Sequence, residues 1–248
     1  MPITVSELYH DTYYFVSKQI RIIIFISILI TCFNIFMEML FRPDIHISSI
    51  IDDNNFINAN SLLELINNMN LYEKHELFKY SIIKMITFLA SKTILISSII
   101  TLILYLSKME KDSIFSLICS RFSLLPSLFI LNFLTAIITQ LGFVLFIIPG
   151  VLLSITLHLS PIILSFKKHN IIDSIRMSIY LSWKYIKIIG PGVLFWIFGK
   201  FSITVFLLSY IHVINKNITL FLLNISIHML FSILIIYLFR FYMIVLRS

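Results

Sequence analysis

The sequence predicts an all-α protein: a polytopic membrane helix bundle of six transmembrane helices set as three hairpins, each preceded by a cytoplasmic interfacial amphipathic helix. Three observations carry that reading. Hydrophobic residues make up 59% of the 248 and charged residues 12%, and the mean hydropathy of +0.98 lies far outside the range of soluble domains. Apolar runs long enough to cross a bilayer recur along the chain, at about 22–40, 82–106, 124–148, 149–166, 189–211 and 218–239. Lys and Arg gather on alternate connections between those runs. No stretch is left for a separate soluble domain, so residues 1–248 read as one membrane domain with a polar periplasmic loop at 41–81.

Residues 1–21 are too polar for a signal leader and the run after them lacks a small-residue cleavage site, so the first span is expected to be retained. Thr4-Val5-Ser6-Glu7 has capping-box spacing, and Val5, Leu8, Phe15 and Val16 suit a short interfacial helix ending at Lys18 and Arg21. The loop at 41–81 is rich in Asn and Asp and carries a short helical pattern from Ser61 to Lys79. Ser107 to Ser123 is again basic and amphipathic, with Phe115, Ile118 and Phe122 at helical spacing. Spans three and four are joined only by Pro149-Gly150, a tight-turn signal. The fourth run is short, so it either borrows Ile147 and Ile148 or fails to cross straight through, and a re-entrant pair is the alternative.

Lys167 to Pro191 is the longest amphipathic basic segment. Asp173, Arg176, Tyr180, Lys184 and Lys187 fall on one helical face, and Ile172, Ile175, Ile179, Trp183 and Ile186 on a neighbouring one. Asn170 suits the N-cap and Gly190-Pro191 the end. A helix of this kind lies in a membrane interface, which makes Arg176, Lys184 and Lys187 the candidate lipid head-group contacts.

Charge placement sets the expected orientation. With both termini inside, the cytoplasmic side holds twelve cations: Lys18, Arg21, Lys108, Lys111, Arg121, Lys167, Lys168, Arg176, Lys184, Lys187, Arg240 and Arg247. The other side holds four, Arg42, Lys74, Lys79 and Lys216, while Lys84, Lys92 and Lys200 fall in or at spans. The net charge of +7 therefore reads as lipid contact rather than nucleic-acid binding. Cys32 and Cys119 have neither the number nor the spacing of a disulfide or zinc framework.

Every span also carries polar residues at helical spacing, which turns one face away from lipid. Ser27, Thr31, Asn34 and Glu38 mark span one, Asn132, Thr135 and Thr139 span three, and Ser154 with His158 span four. These seams suit hydrogen bonds between helices, worth about 0.6 kcal/mol per contact, or else a wetted cavity. Lys200 is the exception, since a charge near the middle of a span costs about 2.5–3.5 kcal/mol. Glu38 and Lys92 are placed to pair with each other, and Lys200, Gln140, Asn132 and His158 form the candidate intramembrane polar site. No carboxylate or thiolate accompanies His158 or His228 at ligand spacing, and no phosphate loop or nucleophile elbow is present, so no metal, cofactor or catalytic residue is expected.

Four stretches resemble the YciC family of uncharacterised bacterial inner-membrane proteins: MPITVSELYHDTYYF at the start, LPSLFILNFLTAIITQLG through Pro149-Gly150, Trp196-x-x-x-Lys200, and IYLFRFYM at the end. The resemblance spans nearly the whole length and rests on order and spacing. It implies a six-span protein of the inner (cytoplasmic) membrane of a Gram-negative bacterium, with no established activity. This copy departs from the family in composition, having few small residues (five Gly) and many Ile and Phe, as an AT-rich genome produces.

The expected function is that of a non-enzymatic membrane component that interacts with lipid or with another membrane protein. The alternative is a small-solute or lipid transporter with its binding site near Lys200. Membrane lipids are the expected partner, and nucleic acid is not.

Overall fold

In the computed structural model the described residues are 5–41, 70–106, 123–166, 170–209 and 215–247. They fold into α1 (Val5–Leu40), α2 (Leu71–Leu106), α3 (Leu125–Leu145), α4 (Ile147–Leu157), α5 (Ser160–Ser165), α6 (Ile171–Lys184), α7 (Ile186–Ser209) and α8 (Lys216–Arg247), with no strand among them. Six stretches are long and apolar enough to span a membrane: Ser6–Leu40, Leu71–Leu106, Leu125–Leu145, Ile147–Ser165, Ile186–Ser209 and Asn217–Leu246. Most of the expected 41–81 loop, the first part of the Ser61–Lys79 pattern and the 107–122 basic segment lie outside the described residues.

The first two helices are longer than hydropathy alone implies. α1 and α2 each run 36 residues without a break, about 54 Å at 1.5 Å per residue, against a hydrocarbon core of about 30 Å. Neither contains Gly or Pro, so nothing interrupts the hydrogen-bond ladder at Lys18–Arg21 or at Tyr80, where the polarity changes. α2 starts at Leu71 rather than near residue 82 because Asn70 and Glu73 form half of a capping box, the Asn70 N–H donating to the Glu73 carboxylate at 2.8 Å.

The chain divides into two compact units, residues 32–91 and residues 1–31 with 92–248. In the smaller unit the end of α1 meets the start of α2 through polar contacts. Ser91 Oγ donates to Asn34 Oδ1, Tyr80 OH donates to Glu38 Oε1 at 3.4 Å, and Lys84 Nζ lies 3.8 Å from the same carboxylate. Glu38 is thus held by Lys84 and Tyr80 within this unit.

The larger unit is built around α8. From Phe231 to Tyr242 every residue except Ile233 and Arg240 is buried, as expected of a helix apolar on all sides. Packed against it are the first half of α1, where Tyr9 meets Tyr237 at 5.3 Å and Phe15 lies 5.0 Å under the Arg240 guanidinium, and the α6–α7 junction, where Tyr185 meets Phe241 at 5.5 Å. Leu8 and Phe15 are buried in this core.

The α3–α4 connection does not use Pro149-Gly150 as its turn. The chain reverses at Phe146, whose backbone is extended (φ −159°, ψ 156°), and Pro149 and Gly150 lie in the first turn of α4. Pro149 is tolerated there because an N–H at its position would have no intrahelical acceptor. Gly150 is needed for a different reason. A Cβ on it would lie 2.5 Å from the Phe143 ring and 2.9 Å from Phe143 Cα. The helical stretch of the fourth apolar run starts at Ile147, and it breaks at His158–Leu159. Pro161 has no N–H for the Leu157 carbonyl, and Ser160 Oγ donates to that carbonyl instead at 2.7 Å.

Candidate functional site: a basic surface helix and a mid-span lysine pair

α6 turns inside out relative to a simple amphipathic helix. Asn170 precedes it with extended backbone, Asp173 stands in its first turn and Lys184 in its last, as the helix dipole favours. Its inward face is made of small residues: Ser174, Ser178 and Ser182, at steps of four, are buried with Leu181. Ser178 Oγ donates to the Thr156 carbonyl at 2.6 Å and Ser182 Oγ to the same carbonyl at 3.4 Å, which pins α6 to α4 just before the break. Three serines on one stripe let two helix backbones approach closely, the packing that membrane helices favour.

The bulky apolar side chains of α6 are left outside. Ile172 is 64% exposed, Trp183 56% and Ile179 37%. Arg176, Lys184 and Lys187 are exposed beside them. Lys184 Nζ stands 5.9 Å from the Tyr180 ring centroid and 5.4 Å from that of Tyr185, so aromatic faces steady its charge. The serine stripe escaped sequence reasoning because its members read as polar surface, although their four-residue repeat was visible.

The second cluster gathers at mid-length of four helical segments. His158, at the break between α4 and α5, packs on Trp196 of α7 with ring centroids 5.0 Å apart, and both rings lie against Phe231 of α8, at 6.3 and 5.6 Å. Lys92 of α2 places its ammonium 5.5 Å from the Phe231 ring, and Lys200 places its own 5.9 Å from the Trp196 ring. Lys92 and Trp196 were absent from the sequence-derived site. The four-residue step from Trp196 to Lys200 was the available signal, while no local pattern links Lys92 to them.

The remaining candidates are only partly assembled. Asn132 is buried on α3 and donates through Nδ2 to Thr93 Oγ1 at 3.0 Å, one residue from Lys92. Gln140, further along α3, is exposed. Most hydroxyls of the polar seams bond within their own helix, as Ser27 to the Ile23 carbonyl, Thr31 to Ser27 and Thr139 to Thr135 do, at 2.7–2.9 Å. They satisfy themselves without linking helices.

A family model described as an uncharacterised protein family, UPF0259, matches residues 1–244. The chain belongs to this family. The UPF0259 and YciC families are the same. A UPF0259 membrane protein of Buchnera aphidicola from Acyrthosiphon pisum (strain Tuc7) is 62% identical over 248 residues, covering all of both chains. One from the Schizaphis graminum symbiont is 54% identical over the same full length. The UPF0259 membrane protein of Serratia proteamaculans (strain 568) is 29% identical over 252 residues, again covering both chains entirely. No solved structure matches. This UPF0259 chain is therefore a bacterial membrane protein with several helices able to cross a bilayer.

Proposed function

We propose that this UPF0259 protein is a non-enzymatic multi-pass component of the inner membrane, with both termini cytoplasmic, that binds anionic phospholipid head groups along α6. The observation that carries this reading is the inverted packing of that helix: serines face the protein, while Ile172, Ile179 and Trp183 stay exposed beside Arg176, Lys184 and Lys187. Exposed apolar side chains next to cations suit the boundary between acyl chains and head groups. Each cation near an anionic leaflet contributes about 1 kcal/mol. In the finer arrangement, the spans form three hairpins, and α6 is the interfacial leader of the third.

Native mass spectrometry of protein extracted in mild detergent tests this. Wild type is expected to retain phosphatidylglycerol or cardiolipin, and the Arg176→Gln/Lys184→Gln/Lys187→Gln variant to lose it. Equal retention by both would reject the assignment.

A second reading, transport of a small solute or lipid at a site near Lys200, gains support from the helix break at His158, because transporter sites form where spans are discontinuous. Flux through proteoliposomes carrying Lys200→Met distinguishes the two. Loss of transport by a well-folded variant favours this second reading.

A further inference from the structure

The mid-span cluster holds two ammoniums that rest against aromatic rings with no carboxylate beside them, and two ring nitrogens without a hydrogen-bond partner. Among the described residues no carboxylate forms an ion pair with Lys92 or Lys200; the ion pairs present are Lys84 with Glu38 and Lys79 with Glu76. Each lysine lies well inside an apolar span, in Leu71–Leu106 and Ile186–Ser209, where an uncompensated charge is costly. His158 Nδ1 lies 2.5 Å from the Ser154 carbonyl oxygen, which can only accept, so Nδ1 carries the proton and Nε2 presents a lone pair. That Nε2 is buried and has no partner, and the same is true of Trp196 Nε1–H, a donor. The native protein is expected to satisfy such groups.

We infer that Lys92, His158, Trp196 and Lys200 form an intramembrane binding site for a phosphate group that carries a hydroxyl, either on the phosphate or on its ester. The chemistry follows from the inventory. Two ammoniums and the indole N–H supply donors and charge for the phosphate oxygens, and the imidazole lone pair accepts a hydrogen bond from the hydroxyl. A simple carboxylate fills the donors but leaves the imidazole without a partner. Phe231 forms the apolar wall beside both the indole and the Lys92 ammonium. Entry is lateral: Lys200 is exposed on the flank of α7, and on the next turns an open groove of about 500 Å³ runs along Ser202, Ile203, Phe206, Leu207 and Ser226. The shared ligand chemistry has two sources, the head group of a phosphatidylglycerol and free inorganic phosphate.

Trp196 reports on its own site. In a Trp183→Phe background it is the only tryptophan left, and its emission is followed in phosphatidylcholine nanodiscs. One arm raises the mole fraction of phosphatidylglycerol, and the other titrates inorganic phosphate against chloride. A saturable change of Trp196 emission in either arm is expected and names the source. Lys92→Met or Lys200→Met should each raise the half-saturation concentration about five-fold, the effect of one lost charge contact. Lys92→Arg and Lys200→Arg should retain the response. The Arg176→Gln/Lys184→Gln/Lys187→Gln variant should also leave it unchanged, which separates this site from the surface lipid contact. If Trp196 responds to neither phosphatidylglycerol nor phosphate in the Trp183→Phe protein, or responds equally with both lysines changed to Met, the inference is overturned.

Discussion

Gly192 and Gly190 stand two residues apart on α7 and should behave in opposite ways. A Cβ on Gly192 would lie 2.5 Å from Tyr237 Cε1, and the ring cannot retreat because its hydroxyl donates to the Ile188 carbonyl at 2.7 Å. Gly192→Ala is expected to destabilise by about 1–3 kcal/mol through overpacking. At Gly190 the nearest atom is Ile186 Cγ1 at 3.9 Å, so Gly190→Ala should be neutral or gain up to about 1 kcal/mol of helix propensity. Thermal unfolding in detergent checks both, and equal midpoints for the two variants would contradict the packing described. Ser178, fully buried with its hydroxyl on Thr156, gives the parallel case on α6. Ser178→Ala should cost about 0.6 kcal/mol, and Ser178→Leu clearly more, since the stripe has no room for a branched side chain.

Among the elements, the α4–α5 break is the one whose wiring can be dissected. Ser160 supplies Leu157 with the hydrogen bond that Pro161 denies it. Ser160→Ala should therefore cost about 1 kcal/mol in the native sequence, and much less in a Pro161→Ala background, where the backbone N–H returns. Additive effects in that double-mutant cycle would show that the hydroxyl does not substitute for the missing amide. This break was half legible in the sequence. The shortness of the fourth apolar run signalled an irregular crossing, but not that the irregularity falls at His158. Pro149-Gly150 looked like a turn because that dipeptide usually is one, yet Pro fits a first helical turn and Gly150 serves a close crossing with Phe143. The N-terminal interfacial helix and the first span merged into α1 because a change of polarity does not end a helix that lacks Gly or Pro.

At the scale of the whole molecule, six helices able to span a membrane and the family itself could be read directly, because lipid forces each crossing to be an unbroken helix of about 20 apolar residues and so long a pattern survives biased composition. The convergence of Lys92, His158, Trp196 and Lys200 could not be read, since residues from three distant stretches meet only through packing around α8. Inside-out α6 was missed for the same reason, because the sequence gives a helix its faces but not the neighbour that covers one of them. The orientation we propose predicts that a cysteine introduced at Ser248 is modified by a membrane-impermeant thiol reagent only after the cytoplasm is opened. One at Asn55 should react from the outside. The reverse pattern would invert the whole assignment.

The most direct test of the central claim is the depth of Trp183. In a Trp196→Phe background, reconstituted with lipids brominated at different acyl positions, Trp183 emission should be quenched most by bromines nearest the head group, and more in phosphatidylglycerol than in phosphatidylcholine. Such a profile places the exposed face of α6 in the interface among anionic lipids. Strongest quenching by bromines at the chain ends, or none from any position, would mean that α6 does not lie there.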